Sequence, residues 1–212
     1  MEANISVLVV FDVDSTLIAH EAIEEIAEVL GKREQVARIT DSAMRGEIDF
    51  EQSLRERVGL LRGVTEAQLV EISKEFRINT GAKELIDHVH TLGGRACAVS
   101  GGFSSLLVGI ADALNLDDYL ANTLELNSGK LTGGLLPPII DAQAKQRALL
   151  NWSKKYQIPL NKTVAIGDGA NDLLMLEQAQ VSIGFMPKQV VAEAVQHVLK
   201  EPDFRPVIDL LP

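Results

Sequence analysis

A chain of 212 residues, 46% hydrophobic and 24% charged, has the length and composition of an ordinary globular protein with a full apolar core. Its formal net charge of −10 excludes nucleic acid and anionic membrane surfaces as natural partners, so any phosphate site must build its own local positive field. The single cysteine, Cys97, lies in the apolar run 95–100, reads as buried filler, and excludes an internal disulfide framework.

In chain order, the run 5–11 is rich in β-branched residues and predicts a buried strand. It has no basic segment ahead of it and stops at Asp12, so it is neither a signal peptide nor a membrane span, and the expected location is the cytoplasm. The next strand-like run is 95–99, far more residues away than one crossover helix needs. Three amphipathic helices fit the interval, on the stripes Ile23, Ile26, Ala27, Leu30; Val36, Ile39, Ala43; and Phe50, Leu54, Val58, Leu61. A helical insert there would lie over the C-terminal edge of a parallel sheet, where ligands bind in open α/β folds, and it is read as a cap. The cap takes residues 18–77 and the core takes 1–17 and 78–212. Further on, helices at about 82–92, 103–114, 141–156 and 171–179 alternate with strands at 95–99, 163–166 and 181–185. That alternation is the pattern of an α/β fold with a parallel sheet and helices on both faces. Asn127-Ser128-Gly129, between 124–126 and 130–135, reads as a hairpin turn.

The polar residues that carry chemistry follow strand ends. They are Asp12-Val13-Asp14-Ser15-Thr16, Ser100-Gly101-Gly102, and Gly167-Asp168-Gly169-Ala170-Asn171-Asp172, with Lys145 opening the helix before the last strand of the three. In a parallel sheet these points share one edge. Asp12, Asp14 and Asp168, with Asp172 nearby, would repel one another if they converged, and a hard divalent cation with oxygen ligands, Mg²⁺ above all, resolves that conflict. Any one of these acids alone would read as a turn or N-cap residue. Ser100 offers a hydroxyl, and two glycines at an expected helix start let backbone N–H groups approach an anion. Lys145 shares the inward stripe of Ala142, Leu149, Trp152 and Tyr156, where an anion would compensate its burial; a snorkelling lysine is the alternative. Arg57 falls on the stripe of Phe50, Leu54 and Leu61 and is suited to bidentate capture of a carboxylate, the alternative being a pair with an acid of the cap. Glu21, at a helix start, is favourable against the dipole whatever its function.

In this order the residues resemble the haloacid dehalogenase superfamily of phosphohydrolases, marked by DxDxT, then Ser or Thr, then Lys, then GDxxxD. Asp12 through Thr16, Ser100, Lys145 and Gly167-Asp168 through Asp172 match in turn. Asp12 through Leu17 with Glu21, the segment 50–58, the segment 99–103 and Gly167 through Asp172 together are similar to the phosphoserine-specific members, over nearly the whole chain. The resemblance implies a Rossmann-like core with a helical cap and a small-molecule phosphomonoester, phosphoserine, as substrate. It implies that Asp12 is the nucleophile and Asp14 the acid and base. It further implies Mg²⁺ on Asp12, Asp14 (through its backbone carbonyl) and Asp168, and phosphate on Ser100, Gly101, Lys145 and Asn171. Glu21 would take the substrate ammonium and Arg57 its carboxylate, with Met44 and Phe50 lining the cap. Related sequences usually carry a proline within 79–82 and AKP near 186–188, differences expected to alter loop shape. With the chain opening at its first strand, the regulatory domain that precedes it in some relatives is not expected. Competing readings are a related phosphomonoesterase or phosphotransferase acting on another hydroxy amino acid phosphate, and a non-catalytic switch phosphorylated on Asp12. Asp14 argues against the switch, which needs no acid for a leaving group.

Overall fold

The computed structural model describes residues 6–44 and 47–212. Its strands are β1 (Leu8–Phe11), β2 (Arg95–Phe103), β3 (Asp118–Asn127), β4 (Lys130–Leu136), β5 (Thr163–Gly167), β6 (Val181–Phe185) and β7 (His197–Leu199). Its α-helices are α1 (Ala22–Glu28), α2 (Arg33–Met44), α3 (Phe50–Gly59), α4 (Glu66–Lys74), α5 (Ala82–Thr91), α6 (Ser104–Leu114), α7 (Ala142–Tyr156), α8 (Leu173–Gln178) and α9 (Gln189–Ala192). Among the described residues the strands form one sheet in the order β4-β3-β2-β1-β5-β6-β7. Every neighbouring pair is parallel except β3 with β4, a hairpin whose turn is Ser128-Gly129.

Strand β1 is the centre of the sheet, and Leu8 pairs with Arg95 on one side and Thr163 on the other. Its side chains alternate between two apolar layers, as the period of two requires. Val9 and Phe11 join Leu85, Ile86, Val89, Leu107 and Phe204 on the face of α5 and α6. Leu8 and Val10 join Leu149, Trp152, Met175 and Leu176 on the face of α7 and α8. Burying a side chain of this size contributes about 1.5–3 kcal/mol, so the two layers together hold the sheet shut. Cys97 lies in the second layer, and burial pushes its thiol pKa up, as expected of inert filler.

Among the described residues the interval between β1 and α5 holds four α-helices, one more than periodicity predicts. The unrecognised one, α4, starts at a Thr65–Gln68 capping box and buries mainly Leu69, too narrow a stripe to register as a period. Helices α1 to α4 share a third apolar cluster, in which Ile26, Val36, Leu54, Leu61 and Leu69 pack against Phe103, Leu106, Leu124 and Leu131. Leu30, expected in this cluster, is exposed, because α1 ends at Glu28 and the chain has already turned. Entry to and exit from the interval run side by side: Ile18 bridges Ile78, and the Asn79 N–H donates to the Leu17 carbonyl at 2.9 Å.

Two other expectations shift. The first strand begins at Leu8, and Ile5 lies outside the described residues. Strand β2 runs on through Gly101 and Gly102 to Phe103, so these glycines belong to a strand extension and α6 starts only at Ser104. The first half of β3 and all of β7 carried no recognisable sequence signal. No described helix is long and apolar enough to cross a membrane.

Candidate active site

The C-terminal ends of β1, β2 and β5 meet helices α1 to α3 around one cavity of about 560 Å³. Of the residues singled out in the sequence, Asp12, Asp14, Glu21, Phe50, Arg57, Gly101, Asp168 and Asn171 line it. Ser100, Lys145 and Asp172 stand beneath its floor, all but sealed from solvent. The side chain of Met44 lies outside the described residues.

Asp12 is fixed by its place at the end of β1, where its N–H donates to the Ile166 carbonyl at 2.8 Å. Lys145 reaches it from α7, a helix that starts at 142 because the Asp141 side chain accepts the Ala144 N–H at 2.7 Å. The Lys145 Nζ donates to Asp12 Oδ1 and, at 2.6 Å, to Asp172 Oδ1. The second oxygen of Asp172 accepts the N–H groups of Asp168 (3.2 Å) and Gly169 (3.1 Å). Position 167 must be glycine for this: a Cβ there would stand 2.5 Å from Asp172 Cγ.

Charge in this buried group does not balance. Burial acts to lower the Lys145 pKa, but the Asp12 and Asp172 carboxylates outweigh it and hold it above the ordinary lysine value. Burial and then the Asp172 charge raise Asp12, while Lys145 opposes them. Burial and Asp172 also lift Asp168 to about 6. Among the described residues, three carboxylates thus meet two ammonium groups, the buried Lys145 and, at 3.8 Å from Asp168, the partly exposed Lys188. Oxygen atoms of Asp12, Asp168 and Asp172 lie within 4.8 Å of one another, which fits a hard cation. With both Asp172 oxygens already engaged, Asp12 and Asp168 have the capacity left to hold it.

Asp14 faces elsewhere. After Asp12 the chain makes a tight turn over Val13–Leu17, with Ser15 in the left-handed region at φ 56°. The Asp14 Oδ2 accepts the Ser100 hydroxyl at 2.8 Å, and Oδ1 accepts the Ala22 N–H at 2.8 Å, at the start of α1. Ser100 Oγ in turn accepts the Gly102 N–H at 2.7 Å, which differs from the helix-start anion contact read from the sequence. A Cβ at Gly102 would come within 2.5 Å of Asp14 Oδ2, so glycine is what admits that carboxylate.

On the helical side, Arg57 donates from Nε to the Ser53 carbonyl and from Nη1 to Thr40 Oγ1, both at 3.2 Å. Among the described residues no carboxylate lies within ion-pair distance of it, although the charges of Glu21, Asp14 and Glu24 favour its cationic form. Burial holds its pKa below the usual arginine value. Glu21, just ahead of α1, accepts a 2.6 Å hydrogen bond from the Ser15 hydroxyl, and burial followed by the Asp14 charge raises it to about 7. Phe50 and Asn171 flank Gly101: Phe50 Cζ and Asn171 Nδ2 would lie 3.6 and 3.7 Å from a Cβ there.

Sequence reasoning overlooked Lys188, which lines the cavity with its Nζ 3.8 Å from Asp168 Oδ2. The signal was available, because Lys188 follows the end of β6 on the same sheet edge, inside a segment read only as a loop difference. Thr40, which receives Arg57, carries no signal, since its role depends on how α2 packs on α3.

Removing the ammonium tests this account. Lys145→Met should lose about 3–5 kcal/mol of stability in urea unfolding at pH 8, since it leaves buried carboxylates uncompensated. The deficit should shrink as pH falls, because those carboxylates, raised further in the folded state, then take up protons. A pH-independent loss would indicate packing alone.

Residues 9–177 match the family model for haloacid dehalogenase-like hydrolases. A phosphoserine phosphatase of Idiomarina loihiensis is 47% identical over 181 residues, covering 85% of this chain and 82% of that protein. One from Streptomyces coelicolor is 44% identical over 204 residues; these are 96% of this chain but 50% of that protein's length. A solved structure of the phospho-aspartyl intermediate analogue of a phosphoserine phosphatase superposes with a TM-score of 0.92 at 37% identity, covering 98% of this chain and 99% of that one. On these matches, and with the acids, serine and lysine of the motifs gathered at one sheet edge, the chain belongs to the haloacid dehalogenase-like hydrolase family.

Proposed function

We propose that this chain hydrolyses O-phosphoserine to serine and phosphate through an aspartyl-phosphate on Asp12. The observation that carries the substrate is the pairing of Arg57, a guanidinium with no carboxylate partner among the described residues, with the Glu21 carboxylate in one cavity that also reaches Asp12. An amino acid's carboxylate and ammonium are complementary to that pair. The names of the relatives from Idiomarina loihiensis and Streptomyces coelicolor agree with this reading. Residues 18–77 act as a cap over a core of 1–17 and 78–212, and the lone buried Cys97 fits the reducing cytoplasm.

The Asp12 carboxylate attacks phosphorus; a P–O bond to Asp12 forms as the bond to the serine oxygen breaks, and Asp14 delivers a proton to that oxygen. Asp14 then takes a proton from water whose oxygen attacks phosphorus, freeing Asp12 and phosphate. Ser100, by donating to Asp14 Oδ2, aims the carboxyl that performs both transfers. Lys145, donating to Asp12 Oδ1, favours its ionised form against burial and the neighbouring acids, and Gly101 and Asn171 face the phosphate. Asp12, Asp168 and the Asp14 backbone carbonyl would hold the cation, for which Mg²⁺ is proposed. When bound, it supplies positive charge against the phosphoryl oxygens.

Asp12→Asn should fold, by circular dichroism, yet release no phosphate once deamidation back to aspartate is excluded. Turnover above a few per cent of wild type would overturn Asp12 as nucleophile. Chelation should abolish activity and Mg²⁺ restore it. Calorimetric Mg²⁺ affinity should weaken as pH falls below about 6, because the cation binds the ionised form of Asp168, whose pKa is raised to about 6. An affinity flat from pH 8 to pH 5 would place the cation elsewhere. Arg57→Ala should lose about 2–5 kcal/mol of transition-state binding for phosphoserine, roughly 30-fold or more in kcat/KM. Phosphoethanolamine, which has no carboxylate, should change little. Equal losses on both substrates would make Arg57 a structural residue.

A further inference from the structure

We propose that Ser15 is a positioning residue for substrate selectivity: its hydroxyl holds the Glu21 carboxylate in the orientation that receives the ammonium of the substrate. This rests on the reading of Glu21 given above and adds a residue to it. Nothing in the two-step chemistry calls for Ser15, which lies inside the Asp12–Thr16 motif but touches none of the reacting groups named there.

Three observations converge on it. The Ser15 Oγ–Glu21 Oε1 separation is 2.6 Å, a short hydroxyl–carboxylate hydrogen bond. With Oε1 so engaged, Oε2 has no partner among the described residues and is the oxygen left for a ligand, on a side chain that lines the cavity. The backbone at Ser15 is left-handed, at φ 56° and ψ 5°, a conformation that residues other than glycine and asparagine seldom adopt without compensation. That turn also returns the Ser15 N–H to the His20 carbonyl at 3.1 Å, which brings the residue after Asp14 alongside the residue before Glu21. The strained turn therefore serves to face the hydroxyl toward Glu21 across six positions of sequence.

The electrostatics agree. Asp14 and Asp168 disfavour the Glu21 charge, while the Ser15 bond and Lys188 favour it, and Arg57 faces Glu21 from α3. Loss of the hydroxyl raises the Glu21 pKa further, so a larger share of the protein near neutral pH carries a protonated acid that cannot pair with an ammonium.

Two substitutions separate hydroxyl from backbone. Ser15→Ala removes the hydroxyl and keeps the strain; Ser15→Gly removes the hydroxyl and relaxes the turn. Each would be assayed with Mg²⁺ on phosphoserine and on 3-phosphoglycerate, which keeps the phosphate and carboxylate but has a hydroxyl in place of the ammonium, and Glu21→Gln would serve as the reference. Both Ser15 variants should raise KM for phosphoserine roughly tenfold, with kcat changing far less, and 3-phosphoglycerate should lose much less than phosphoserine. The acid limb of the kcat/KM profile for phosphoserine should move to higher pH in both. Equal losses on the two substrates, an unmoved acid limb, or a wild-type-like Ser15→Gly beside a damaged Ser15→Ala would each overturn the role of the hydroxyl. An unchanged substrate ratio in Glu21→Gln itself would instead overturn the assignment of the ammonium to Glu21, and the role of Ser15 with it.

Discussion

Everything in this molecule is arranged around one buried ammonium. Lys145 is wholly inaccessible and donates to Asp12 from one strand end and to Asp172 from beyond another. A charge taken that far from water is tolerated only when it is paired and its hydrogen bonds are met. Asp172 meets the remainder by accepting two backbone N–H groups from the turn after β5, which in turn sets where Asp168 points. The lysine therefore holds two strand ends in register from below, and the cavity above inherits its shape from that clamp. Even with Lys188 beside Asp168, two ammonium groups face three carboxylates, and the shortfall of positive charge lies on the cavity side, where a metal ion and a phosphate would meet.

Asp14 performs the corresponding task between the floor and the helices above it. Its two oxygens accept from opposite sides, Ser100 in the extension of β2 and the Ala22 N–H at the start of α1. A single carboxylate thereby ties the sheet edge to the first helix of the insert, and the missing side chain at Gly102 is the space it occupies. In the proposed function the helical side would contribute selectivity rather than chemistry. Arg57 and Glu21 are both presented on α-helical starts or turns whose packing is shared with Phe103 and Leu106, so their spacing from Asp12 is set by an apolar interface. The proposed recognition and reaction groups would thus be held by two sources of rigidity that meet at this cavity.

Much of this was legible in the amino-acid order, because it depends on short-range period and strand-end position. The alternation of short apolar runs with amphipathic stretches determined an α/β sheet with helices on both faces, and Val181–Phe185 coincides with β6. The stripe through Leu149 and Trp152 favoured an inward Lys145 over a snorkelling one, and polar residues after three strand ends pointed to a shared edge. Tertiary structure alone decided the pairings. Lys145 meets Asp12 across 133 positions and Asp172 across 27, and periodicity says which way a side chain faces but not what it meets. Strand β2 loses regular register with β3 between its Val99–Leu120 and Phe103–Asn122 pairs, and the capture of the Gly102 N–H by Ser100 falls in that irregularity, which is set by a long-range pairing with no local signature. Likewise, Lys188 entered the cavity and Thr40 received Arg57 because separate elements packed together there. Local sequence biases each backbone segment at a few residues' range, whereas a site is made where segments far apart in the chain are pressed together by the burial of their apolar faces.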